Sequence, residues 1–215
     1  MNVADFAAAN LSRATGAGLD PHEYLRVTGE LTGLDRGCEA LTRAARGHLD
    51  RAGRAATAVS AAEHYQVAAR WFHVATLGPG SGPGRARAAA EADAAMGRAL
   101  ELLEPDARRV EGPGFTGRLR GPAGAPTAVV VPGLDSGKEE FHDLAAALLR
   151  RGLAVLAVDG PGQGVLAATS TVRADYHRVV GRVVDGADYE AQIEEHRSGL
   201  IEGIIQESED ESLME

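Results

Sequence analysis

The sequence predicts an α/β protein: a helical first half, then a strand, helix and strand of parallel type, and an acidic helix at the end. Three observations predict it. The first hundred residues are rich in alanine and contain no convincing alternating run. Two later segments, "TAVVVPGL" (127–134) and "LAVLAVDGPGQG" (153–164), are short apolar runs that end in glycine turns. The charge balance then changes abruptly near Asp185.

In the first half, Ser60-Ala61-Ala62-Glu63 has capping-box spacing ahead of a segment that carries Tyr65, Trp71 and Phe72. Met96, Leu100 and Leu103 recur at helical spacing until Pro105 stops the pattern. Between these helices "GPGSGPG", Gly78–Gly84, reads as a flexible loop, and its Ser81 lacks G-x-S-x-G spacing.

From Gly114 the pattern changes. "FTGRLRG" (115–121) is a weak strand and "TAVVVPGL" a stronger one. Phe141, Leu144 and Leu148 follow helical spacing up to Gly152. The run from Leu153 has no alternation, which suits a strand covered on both faces. Strand, helix and strand within about thirty residues make a βαβ unit. A further helix is expected over Arg173–Val184, with Tyr176, Val179, Val180 and Val183. This divides the chain into a helical region (1–110), an α/β region (111–185) and an acidic helical tail (186–215).

The 215 residues are 44% hydrophobic and 25% charged, enough for a sizeable core in one or two domains. No basic stretch followed by an apolar one opens the chain, and the apolar runs are short, so neither secretion nor membrane spanning is expected. The single cysteine, Cys38, excludes an intrachain disulfide and fits a reducing cytoplasm, where it is expected to pack rather than react. The net charge of −9 is unevenly placed. Residues 185–215 carry eleven acidic residues against one basic residue, Arg197, which leaves 20 acidic and 21 basic in residues 1–184. Nucleic acid is not an expected partner.

Loops at the carboxyl ends of parallel strands are where α/β proteins bind ligands, and two are offered: Gly133–Gly137 and Asp159–Gly164. Neither is a nucleotide loop. A P-loop needs G-x-x-x-x-G-K-[ST], but only three residues separate Gly133 from Gly137, and Glu139 stands where the Mg²⁺-binding hydroxyl belongs. Asp159–Gly164 lacks G-x-G-x-x-G spacing. The first loop fits an oxyanion site, in which backbone N–H groups at a strand-to-helix turn face developing negative charge. Ser136 is expected to cap the helix that starts near Lys138, and Lys138 with Glu139 to form a helix-start ion pair. His64 and His73, nine apart, fall half a turn out of phase on a helix and are not expected to share a metal. His142, His177 and His196 are expected to be structural. No cofactor is expected.

"VVVPGLDSGKEEF", "RRGLAVLAVDGPGQG" and "RADYHRVVGRVVD", preceded by "SAAEHYQVAARWFH", resemble the α/β-hydrolase family, in the group that contains 2,6-dihydropseudooxynicotine hydrolase and related esterases. The likeness extends loosely over residues 1–185 and is dense over 127–164. It implies a helical cap over the active site and an oxyanion-hole N–H from the loop after the third strand. Carried onto this sequence, the donor is the backbone of Leu134, with Gly133 allowing the tight turn. Asp135, Asp159 and Gly160 would then bind substrate or line the pocket base.

The sequence departs from that group in two ways. Pro132 and Gly137 replace a usual glycine and threonine, and no G-x-S-x-G occurs anywhere, so the nucleophile strand is absent. That strand would pair beside "TAVVVPGL", so an exposed sheet edge and self-association are expected. In its place stands "YEAQIEEHRSGLIEGIIQESEDESLME", with Ile193, Leu200, Ile201, Ile204 and Ile205 on one helical face. About twenty-six of its residues resemble an insert in the GTPase domain of bacterial elongation factor G. Three function classes follow: a hydrolase acting on an ester, amide or activated C–C bond, inactive without the missing serine; a non-catalytic binding module; and a fusion fragment with a translation-GTPase-like tail.

Overall fold

The structure, a computed structural model, describes residues 2–78 and 82–185. The acidic tail and Ser81 lie outside the described residues. Five helices come first: α1 (Val3–Gly16), α2 (Pro21–Gly29), α3 (Gly37–Arg54), α4 (Ala58–Ala75) and α5 (Pro83–Leu103). Local chemistry starts them. Asn2 and Asp5 form a reciprocal capping box on α1, and Asp20 caps α2 ahead of Pro21. The expected box at Ser60–Glu63 is corrected by three residues: Thr57 is the cap, and its hydroxyl accepts from the Ser60 N–H. Pro83 and Gly84, expected in a loop, open α5, where a proline is tolerated because the first helical N–H groups have no partner.

The helices share one core. Phe6, Tyr24, Leu41, Trp71, Phe72, Met96 and Leu100 are all buried in it. Leu103 stays 38% exposed, so the apolar stripe of α5 effectively ends at Leu100.

A four-stranded sheet follows, in the order β1 (Arg108–Gly112), β2 (Phe115–Arg120), β4 (Ala154–Asp159), β3 (Thr127–Val130). Strands β1, β2 and β4 pair antiparallel in succession, and β3 pairs parallel with β4. The expected βαβ unit is therefore β3, α6 (His142–Leu149) and β4, with a 3₁₀ turn at Lys138–Phe141 before α6. Strand β1 has no counterpart in the sequence reading; Arg108 and Arg109 alternate too little with apolar residues to signal it. Every residue of β4 is buried, as its unbroken apolar run predicts. Among the described residues β3 is an edge.

Alternation along β2 sets its two faces. Phe115 and Leu119 lie with Leu156, Val158 and α7 (Tyr176–Asp185), whose Val179 and Val183 complete a second, smaller core. Arg118 and Arg120 point to the other face, toward α5: Arg118 reaches Asp93, and Arg120 forks onto Glu104 at 2.5 and 2.8 Å. On the first face, between Phe115 and Leu119, Gly117 lets β2 approach β4; a Cβ there would come within 2.8 Å of the Ala157 carbonyl.

His142 lies buried at this junction, accepting from Arg120 at 3.3 Å. Burial, with the Arg120 and Arg70 charges, pushes it down to about 3, so it is neutral in the fold. A depressed histidine binds its proton in the unfolded chain first. It therefore costs stability as pH falls below the ordinary value of about 6.5, down to about 3. Thermal or urea melts between pH 7 and 4 should lose about 1.4 kcal/mol per pH unit more in the wild type than in His142→Asn. Equal slopes for the two proteins would refute this role.

Candidate active site

A cavity of about 270 Å³ lies where the carboxyl ends of β3 and β4 meet the helices. Its wall on the helical side is His73 with Ala86, Ala89 and Ala92, small residues on one face of α5. Its floor is Leu134 to Gly137, Glu139, Gly162 and Gly164. Both loops singled out in the sequence therefore reach one cavity, as strand-end loops of an open parallel pair do.

Beneath the floor is a buried cation. Lys138 Nζ lies 2.7 Å from Asp159 Oδ2, 3.0 Å from Asp93 Oδ1 of α5, and 2.7 Å from Glu139 Oε1. The last is a charge contact without hydrogen-bond alignment. All four side chains are nearly or fully buried. Burial works to lower Lys138, but the Glu139, Asp159 and Asp93 charges outweigh it and raise it above the ordinary lysine range. Burial works to raise Asp93, but Lys138 and Arg118 hold it down at about 2. Burial dominates at Glu139, which is raised despite Lys138.

The two loops are also tied to each other. Gln163 donates from Nε2 to the carbonyls of Gly133 at 2.7 Å and Pro132 at 3.1 Å. Its Oε1 accepts from the Gly160 N–H at 3.0 Å and from the Tyr176 hydroxyl. Gly164, with φ of +42°, lets the chain fold over Asp159; a Cβ there would collide with the Asp159 carboxylate.

The predicted site residues separate into two groups. Leu134 and Asp135 line the cavity. Leu134 is 68% exposed in a turn closed by Ser136 N–H to Gly133 O at 3.1 Å, and among the described residues its own N–H has no acceptor. Asp159 and Gly160 do not line the cavity, a correction with a clear cause. Asp159 is fully buried and accepts from the Lys138 N–H at 2.8 Å, from Lys138 Nζ and from the Val165 N–H at 3.3 Å, while Gly160 is pressed against the Tyr176 ring. Gly133 also differs from expectation. Its φ is not positive and a Cβ there would meet nothing within 4 Å, so the turn itself does not require glycine. Ser136 caps no helix; its hydroxyl donates to the Glu140 carboxylate.

Sequence reasoning missed Arg13, His73, Asp93, Glu140 and Gln163. Arg13 and Asp93 come from helices far away in the chain, and no local spacing signals them. Gln163 had a signal, a polar residue between glycines at the end of a buried strand.

Replacing Lys138 with methionine removes the buried cation from Asp159 and Glu139, while Asp93 keeps Arg109 and Arg118. Urea unfolding should show a loss of about 3–5 kcal/mol, the cost of stranding a buried charge. A loss below about 1 kcal/mol would show that the cluster does not hold the two halves together.

No family model matches this chain. Over 95 residues it is 35% identical to 2,6-dihydropseudooxynicotine hydrolase of Paenarthrobacter nicotinovorans, a match covering 41% of this chain and 26% of that protein. The crystal structure of the 2,6-dihydroxy-pseudo-oxynicotine hydrolase superposes with a TM-score of 0.66 at 26% identity, covering 80% of this chain and 52% of that one. A structure of wild-type AbyA5 gives a TM-score of 0.59 at 19% identity over 83% of this chain and 51% of its own length, a likeness of fold alone. This chain thus spans about half the length of the solved structures it matches. Over the matched stretch it is homologous to 2,6-dihydropseudooxynicotine hydrolase, and its mixed α/β fold is structurally similar to the α/β-hydrolases.

Proposed function

We propose that residues 1–110 are the helical cap and residues 111–185 the first part of the core of an α/β-hydrolase that cleaves an ester, amide or activated C–C bond of a small molecule. The Leu134 N–H is its oxyanion donor, and the serine nucleophile comes from sequence outside this chain. One observation carries the reading. Among the described residues the Leu134 amide stands without a protein acceptor in the turn after β3, at the floor of a cavity walled by α4 and α5. A donor preorganised where a tetrahedral oxyanion forms is worth about 10²–10³ in rate, and its effect is largest where water is excluded. Asp135 is then a cavity-wall contact for substrate. Asp159 and Gly160 hold the loops from behind.

A second reading, a binding module without chemistry, is favoured by Ser136, whose hydroxyl is committed to Glu140, and by the sequence holding no G-x-S-x-G. The single cysteine and the short apolar runs support a reducing cytoplasm as the compartment we propose; among the described residues no helix is long and apolar enough to cross a membrane.

On this proposal the chain alone lacks covalent turnover, since an oxyanion donor needs a serine activated by a positioned histidine. Treatment with a fluorophosphonate should leave every serine unmodified by mass spectrometry, and activated esters should be cleaved no faster than the residual catalysis of a binding pocket. Stoichiometric labelling of one serine, abolished together with turnover by its change to alanine, would establish a nucleophile within this chain.

We further propose that the β3 edge is a pairing surface, because among the described residues it is open and carries the half-buried Val129 and Val130, a template for another strand. Light scattering should find self-association that weakens when Val129 is replaced by proline, which removes the strand N–H. A concentration-independent monomer would refute it.

A further inference from the structure

We propose that Arg13 and Glu140 are positioning residues of the turn after β3, a clamp through which α1 sets the direction of the Leu134 N–H. This rests on the reading of that amide as an oxyanion donor. Leu134 is mostly exposed and has no packing anchor of its own, so its neighbours decide where its amide points. Those neighbours are held. Arg13 donates from Nε to Glu140 Oε1 and from Nη2 to Glu140 Oε2, each at 2.8 Å. The same guanidinium donates from Nη1 to Asp135 Oδ2 at 2.8 Å and from Nη2 to the Asp135 carbonyl at 3.1 Å. Glu140 Oε2 also accepts from the Ser136 hydroxyl and pairs with His73 Nε2 of α4 at 2.9 Å.

The two residues that follow Leu134 are thus fixed by a fork and a carboxylate that come from outside the turn. Gln163 holds the carbonyls of the two residues before it. The turn is gripped from both sides, and among the described residues the Leu134 amide between the grips donates to no protein acceptor. The clamp is partly buried, with side-chain exposures of 22% for Arg13 and 14% for Glu140, so it is less screened than a surface pair. Burial works to raise the Glu140 carboxyl, but the hydrogen bonds from His73, Arg13 and Ser136 outweigh it and hold it well below the usual carboxylate range. Lysine cannot replace Arg13, since a point charge lacks the planar fork that spans Glu140 and Asp135 together.

The test is amide hydrogen exchange on this chain, with methylphosphonate as a tetrahedral anion probe. Arg13→Gln and Glu140→Gln should each speed exchange over residues 134–141 about tenfold, with Arg13→Lys between them and the wild type, while β4 and α3 keep their protection. In the wild type methylphosphonate should shift the Leu134 ¹⁵N–¹H resonance, and the two variants should lose that shift. Unchanged exchange in the turn of both variants overturns the clamp. If Arg13→Gln loosens the whole chain, Arg13→Lys decides: acceleration confined to the turn supports the proposal, and acceleration everywhere overturns it. If turn exchange rises as expected but wild-type Leu134 ignores the anion, the clamp stands and the donor reading falls.

Discussion

The interaction on which the rest of the structure depends is the buried ammonium of Lys138 among Asp93, Glu139 and Asp159. It is where the two halves of the chain meet in charge rather than in apolar contact. Asp93 belongs to α5, Asp159 ends β4, and Lys138 opens the 3₁₀ turn that leads from β3 into α6. A charge in a dry interior survives only when it is paired and hydrogen-bonded. Each of these groups therefore constrains the backbone that carries it. Because Asp159 also accepts from the Lys138 and Val165 amides, the same carboxylate fixes the residue that directly follows each of the two loops.

The cavity follows from that anchoring. Its helical wall is low because α5 presents alanines there, and its floor is loop because strands β3 and β4 both end at it. Polar ties, not packing, shape this floor: Gln163 joins the loops behind the cavity, and Glu140 joins the turn to α1 and α4 in front. Directional hydrogen bonds hold such a floor in place beside an open cavity, which close-packed apolar side chains would fill.

The distribution of apolar burial is uneven in the same way. The helical half has the large aromatic core around Tyr24, Trp71 and Phe72, whereas the sheet relies on a few valines with Phe115 and Leu156. A small core beside an edge strand explains why charge ties such as Arg120 to Glu104, Arg70 to Asp143 and Lys138 to Asp93 recur along the junction.

The sequence by itself determined the elements whose signal is local. The unbroken run from Ala154 to Asp159 suits a strand covered on both faces, as β4 is, Pro105 and Gly152 follow the ends of their helices, and the two glycine turns follow the parallel strands. Leu134 and Asp135 border the cavity because they belong to a strand-end turn, which is written in consecutive residues. The tertiary structure alone decided what approaches those turns. Nothing within a few residues of Asp159 says that a lysine twenty-one positions earlier consumes its carboxylate, and nothing near Arg13 says that it reaches across more than 120 residues to Asp135 and Glu140. The same holds for the cap of α4, where Thr57, and not Ser60, receives the helix-start N–H. Spacing encodes hydrogen bonds within one turn of helix or one pleat of strand. Partners brought together by folding leave no period in the sequence, and the physical identity of this site lies in such partners.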